Sequence, residues 1–117
     1  MLEPQITYRG MEHSAAMDAR ILELAGKLEE FHPKITRCHV IVDEHDRHKS
    51  KGNLFEVRID LHVPGREIVA TNKQHEDPYV ALGDAFDVMY RQLAEDIRKV
   101  RGEVKTHTDE RGDNATP

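Results

Sequence analysis

The clearest pattern in the chain is the alternation between Phe55 and Val63. Phe55, Val57, Ile59, Leu61 and Val63 fall on one face, and Glu56, Arg58, Asp60 and His62 on the other. A period of two predicts a half-buried strand. Pro64-Gly65 follows as a tight turn, so Glu67 to Thr71 is predicted to return as a hairpin partner. Arg37 to Asp43 alternates in the same way, with Cys38, Val40 and Val42 opposite Arg37, His39 and Ile41. Gln5 to Arg9 reads as a short first strand stopped by Gly10. Two segments switch to the helical period. Met17, Ile21, Leu24, Leu28 and Phe31 are spaced four, three, four and three apart. They form one apolar stripe on a helix from Ala15 to Glu30, capped by Ser14 and ended by Pro33. Leu82, Phe86, Met89, Leu93, Ile97 and Val100 make a second stripe. Asp77-Pro78 supplies its cap and first position, and Gly102 its stop after Arg101.

The predicted order is β-α-β-β-β-α, an α+β fold. One helix between the first two strands favours a parallel pair with a crossover, and the remaining strands form an antiparallel meander. Each element has one apolar face, so both helices are expected on one side of a four-stranded sheet. The other side, with Arg37, His39, Arg58, Asp60 and His62, is expected to meet water.

Length and composition narrow this further. The chain has 117 residues, which suits one domain. Residues 1–105 form the predicted domain and 106–117 a disordered polar tail. No secretory signal is visible at Met1-Leu2-Glu3-Pro4, no apolar run reaches membrane-spanning length, and a cytoplasmic setting is expected. A single cysteine, Cys38, excludes an internal disulfide and a multi-cysteine zinc site. Lys and Arg number 17 against 22 Asp and Glu, a formal net charge of −5. That excludes a uniformly basic nucleic-acid coat but not a local basic patch.

Three constellations carry candidate chemistry. His45 and His48, with Asp43 and Glu44, offer metal-ligand types in a predicted loop, against the reading of a solvated hairpin. His75-Glu76-Asp77 groups an imidazole and two carboxylates, but Asp77 is better placed as a helix cap and Glu76 as a favourable charge at the helix start. Cys38 alternates with valines and reads as buried rather than nucleophilic. No phosphate loop, nucleophile elbow or dinucleotide fingerprint is present. Arg98, Lys99, Arg101 and Lys105 concentrate positive charge near the end of the second helix, with Arg91 upstream and Arg47, Lys49 and Lys51 in the loop. Phosphate contacts suit such a cluster. So does plain helix stabilisation: cations favour a helix C-terminus, and Asp87–Arg91 and Glu95–Lys99 have salt-bridge spacing.

The element order resembles double-stranded RNA-binding domains. Ile6-Thr7, Met11-Glu12, Lys27-Leu28-Glu29, and above all His75-Glu76-Asp77 followed by Tyr79, Ala81 and Arg91-Gln92-Leu93, resemble the ribosome-associated inhibitor and hibernation promoting factor family, also called sigma-54 modulation proteins. The resemblance spans about Gln5 to Lys105. It implies a non-enzymatic, cofactor-free protein that binds small-subunit rRNA at the decoding region. Such a protein blocks the messenger and transfer-RNA path in stress, without DNA or membrane partners. It further implies the short form, a monomer without the long form's dimerisation domain. Lys27 and Arg91 match basic positions of the family. Val88, Glu95 and Glu30 stand where family members usually carry basic residues, with Arg98, Lys99 and Arg101 about one turn later. The implied rRNA contacts are therefore Lys27, Arg91, Arg98, Lys99, Arg101 and Lys105. The acidic Glu23, Glu29 and Glu30 support an alternative, a regulatory protein-interaction module that kept the fold without rRNA affinity.

Overall fold

The computed structural model describes residues 2–45 and 52–110, with side chains up to residue 101. Four strands, β1 (Gln5–Arg9), β2 (Arg37–His45), β3 (Leu54–Val63) and β4 (Arg66–Thr71), and two helices, α1 (Ala15–Phe31) and α2 (Pro78–Glu110), follow in the predicted order. The sheet order is β1-β2-β3-β4. β1 pairs parallel with β2, and the other pairs are antiparallel. A parallel pair needs a crossover, and α1 provides it.

Both helix starts are capped as the sequence suggests. The Ser14 hydroxyl accepts from the Met17 amide at 3.2 Å. Asp77 Oδ1 accepts from the Tyr79 amide at 2.8 Å. Ahead of Asp77, the strand ladder is prolonged by side-chain and main-chain bonds. Asn72 is buried, and its Oδ1 accepts from the Val57 amide at 2.6 Å. His75 exchanges main-chain bonds with Phe55 at 2.7 and 3.1 Å. The His75-Glu76-Asp77 segment is thus an extension of the sheet that delivers the cap of α2.

Two glycines are required by geometry. Gly65 takes φ 88 after Pro64, the left-handed position of the β3–β4 turn. Gly10 takes φ 72, and a Cβ there would stand 2.4 Å from the Glu44 carbonyl oxygen. Only glycine fits both the backbone angle and the space.

The core is one continuous cluster. Met17, Ile21, Leu24, Ala25 and Leu28 of α1 and Leu82, Phe86, Met89 and Leu93 of α2 meet Val40, Val42, Val57, Ile59 and Leu61 of the sheet. α2 lies over β3 and β4. The two helices touch where the Phe31 and Tyr90 rings stand 5.4 Å apart.

Several expectations are corrected. Phe31 and Val100 complete their stripes but are 42% and 41% exposed. The 33-residue α2 is about 50 Å long, while a ten-residue strand spans about 33 Å, so its stripe outruns the sheet before Val100, whereas Phe31, the last residue of α1, rests its ring on Tyr90 of α2. Gly102 does not stop α2, which continues to Glu110. Glycine in a helix interior costs about 1 kcal/mol, and helix-favouring Arg101, Glu103 and Lys105 surround it. The helical segment therefore overlaps the expected tail, while residues 111–117 lie outside the described residues. Ile41 sits on the open sheet face yet is buried, between its register partners Thr7 and Arg58. Glu44 and His45 belong to β2 rather than to a loop.

Candidate nucleic-acid interface

Strand directions fix how the helices lie. β1, β2 and β4 run the same way. α1 leaves the end of β1, and α2 the end of β4. Both helices therefore begin at one edge of the molecule and end at the opposite one. The start of α1 is tied to β1 by Tyr8, whose hydroxyl donates to Asp18 Oδ1 at 2.7 Å. Burial and the Asp18 carboxylate raise the Tyr8 pKa. In turn the Tyr8 hydrogen bond, with His13, lowers that of Asp18.

The exposed side of this helix layer carries the candidate cations. Lys27, Arg91, Arg98, Lys99 and Arg101 are all exposed. Among the described residues none of the five forms an ion pair or a side-chain hydrogen bond. The suggested Asp87–Arg91 and Glu95–Lys99 bridges do not form, so those charges are not spent within the helix. Lys27 lies one turn before Phe31, and Arg91 follows Tyr90, so both flank the helix crossing. Arg91 and Arg98 are seven residues apart, two turns along one side of α2. Asp84, Asp87 and Glu95 are exposed on the same side. Arg98, Lys99 and Arg101 gather cations toward the end of α2, while Asp84, Asp87 and Glu95 alternate with Arg91 and Arg98 along it. Lys105 lies on α2 beyond the described side chains, and Arg47, Lys49 and Lys51 lie outside the described residues.

At the cationic end, the α1–β2 link, the β3–β4 turn and α2 enclose an open cleft of about 610 Å³. Phe31, Pro33, Val63, Ile97 and Val100 form apolar walls, and Lys34, Arg66 and Arg101 bring positive charge. Asp96 lies at its base, with Oδ1 accepting from Arg66 Nε at 2.5 Å and Oδ2 3.8 Å from His32 Nε2. The Arg66 hydrogen bond holds the Asp96 carboxyl below the usual carboxylate range. His32 Nδ1 is buried and has no hydrogen-bond partner among the described residues. Nothing in the sequence marks this cleft, because its residues come from three separate segments. Only topology brings them together.

The remaining candidates fall to structural roles. His45 Nε2 lies 3.2 Å from Glu56 Oε1 and 3.8 Å from Asp43 Oδ2. Among the described residues no group of three or more His, Cys, Asp or Glu is placed to hold a metal, and His48 lies outside them. His75 Nδ1 accepts from the Asp77 amide at 2.9 Å, a turn-forming bond ahead of the cap. Cys38 is buried, and burial with the nearby Asp60 charge pushes its thiol up to about 12. At neutral pH it is a core residue and not a nucleophile. No helix among the described residues is long and apolar enough to cross a membrane.

A single layer of two like-directed helices on a four-stranded mixed sheet defines a small α+β domain. The chain belongs to the family described as Sigma 54 modulation protein / S30EA ribosomal protein, whose pattern it matches over residues 5–101. It is 32% identical over 90 residues to the ribosome hibernation promotion factor of Deinococcus radiodurans. That match covers 76% of this chain and 46% of the relative, so the chain spans about half of that protein's length. It is 30% identical over 92 residues to the ribosome hibernation promoting factor of Pseudomonas putida, covering 79% of this chain and 83% of the relative. Two solved structures share the fold. One is a ribosomal subunit interface protein from Coxiella burnetii, with a TM-score of 0.67 at 18% identity over 79% of this chain and 93% of that one. The other is the N-terminal domain of Thermus thermophilus Protein Y, with a TM-score of 0.61 at 16% identity over 78% and 92%.

Proposed function

We propose that this chain is a ribosome hibernation factor that binds rRNA of the small subunit at the decoding region. It silences translation by standing where messenger and transfer RNA must pass. The mechanism is steric, with no bond made or broken, and the binding unit is a cytoplasmic monomer. The observation that carries this reading is the set of five exposed cations, Lys27, Arg91, Arg98, Lys99 and Arg101, none of which forms an ion pair within 4.0 Å among the described residues. Free cations on a rigid helix layer bind phosphates and release counterions, which supplies most of the affinity in sequence-independent RNA contacts. The names of the relatives add the partner: both curated proteins are ribosome hibernation factors. Lys105, further along α2, is the sixth proposed contact.

Charge reversal tests the reading. The double variant Arg91→Glu/Arg98→Glu is expected to lose co-sedimentation with purified small subunits while melting at the wild-type temperature, because both side chains are exposed and unpaired. Full co-sedimentation of that variant would overturn the assignment. Recovery of protein partners without rRNA would favour the alternative of an interaction module, for which the exposed Asp84, Asp87 and Glu95 supply an acidic surface.

A further inference from the structure

We infer that the cleft at the helix ends holds one unpaired nucleotide of the bound RNA, with a preference for a base that presents an amino group. This rests on the RNA-binding reading above and adds a base-recognising site to a surface otherwise limited to phosphates.

Four features of the cleft lead to it. Its volume, about 610 Å³, suits a nucleotide-sized ligand. The Phe31 ring is 42% exposed and rests against Tyr90 at a 54° tilt, so it keeps free surface on which a base can stack. Lys34, Arg66 and Arg101 outnumber Asp96 three to one among the charges lining it, which selects an anionic ligand. Arg101 also continues the cation stripe of α2, so a backbone phosphate held there leads its own base toward the cleft.

The fourth feature is chemical. Asp96 is 12% exposed and one of its two oxygens is committed to Arg66. The other, Oδ2, faces His32 Nε2 at 3.8 Å, an ion-pair distance longer than a hydrogen bond, and accepts from no other group among the described residues. A carboxylate oxygen only accepts, so it pairs with an exocyclic amino group and repels a carbonyl. Cytosine presents an amino group at the position where uracil presents an oxygen, and the two rings have equal size.

The sequence contains no tryptophan, so Phe31→Trp places a single fluorophore on the cleft wall. The experiment titrates this full-length variant with octacytidylate and octauridylate RNA at neutral pH, reading tryptophan quenching and, with end-labelled RNA, anisotropy. The expected result is quenching by octacytidylate and roughly 5- to 10-fold tighter binding than octauridylate. Asp96→Asn is expected to erase that ratio. In the wild-type background Phe31→Ala is expected to weaken octacytidylate roughly 10-fold. Thermal melts of each variant show that the fold is kept. Equal affinity for the two RNAs with an unchanged tryptophan signal would overturn the cleft assignment, and intact co-sedimentation with small subunits would then leave the ribosome reading standing. Quenching by an RNA duplex or by an acidic peptide as strong as that by octacytidylate would also overturn it. Binding of neither RNA together with loss of small-subunit co-sedimentation would remove the reading on which the inference rests.

Discussion

Gly10 and Gly65 together form a quantitative test of how the structure uses its left-handed residues. Both have positive φ, 72 and 88, so an alanine at either costs about 1 kcal/mol in backbone energy. At Gly65 a new Cβ meets nothing within 4 Å, and that strain is the whole expected effect. At Gly10 the Cβ meets the Glu44 carbonyl oxygen at 2.4 Å, about 1 Å inside ordinary contact. Glu44 lies on β2 next to Asp43, the register partner of Arg9 at the end of β1. Relieving the clash pulls the strand ends apart, loosening the β1–β2 ladder by one or two hydrogen bonds. That adds about 2 kcal/mol. Unfolded-state entropy changes equally in both variants and cancels. For a domain of this size 1 kcal/mol corresponds to roughly 4 °C in melting temperature. Scanning calorimetry should therefore place Gly10→Ala about 8 °C below Gly65→Ala. Melting of the two variants within about 2 °C of each other would refute the claimed close approach between the β1–α1 link and β2.

Two further outcomes follow from the titrating groups. The Asp96 carboxyl is held low by Arg66, so its stabilisation is fully present above the unfolded carboxylate pKa near 4 and is lost as pH falls through its folded value. Asp96→Asn is expected to cost about 1 kcal/mol at pH 7, allowing for the half-exposed Arg66. Denaturant melts should show that difference shrinking toward pH 2, and a pH-independent difference would contradict the pairing. Cys38, with its thiol pushed up to about 12, should react with a disulfide reagent at pH 8 about three orders of magnitude more slowly than a free cysteine peptide. Denaturation with guanidinium should restore normal reactivity, and rapid labelling of the native protein would contradict its place in the core.

The fold was legible because its long elements carry unmixed periods. Phe55 to Val63 alternates without a break, and Met17 to Leu28 and Leu82 to Leu93 keep a helical stripe, so periodicity alone fixes which side each buries. Legibility failed where local signals met tertiary geometry. Phe31 and Val100 continue their stripes in sequence, but both stand at helix ends that line an open cleft and stay exposed. Gly102 is a stop signal only where the chain adopts a left-handed turn, and here it stays helical. Ile41 is buried on the open sheet face by its strand neighbours, which no single-strand pattern reveals. The cations of the candidate interface could be read as a cluster. That Arg91 and Lys99 are not neutralised at their i−4 neighbours is a rotamer fact that spacing leaves open. The cleft was invisible because His32, Arg66 and Asp96 meet only through the topology.

The central claim is that free cations on the helix layer hold the chain to rRNA phosphates. The most direct test is co-sedimentation with purified small subunits across a salt series. About five phosphate contacts predict a slope of log affinity against log salt of about −3.5 to −4.5, a weakening of roughly 130- to 500-fold between 50 and 200 mM. Arg91→Glu/Arg98→Glu is expected to lose co-sedimentation across the same series. Binding that is flat across the series, or absent at the lowest salt, would contradict the account.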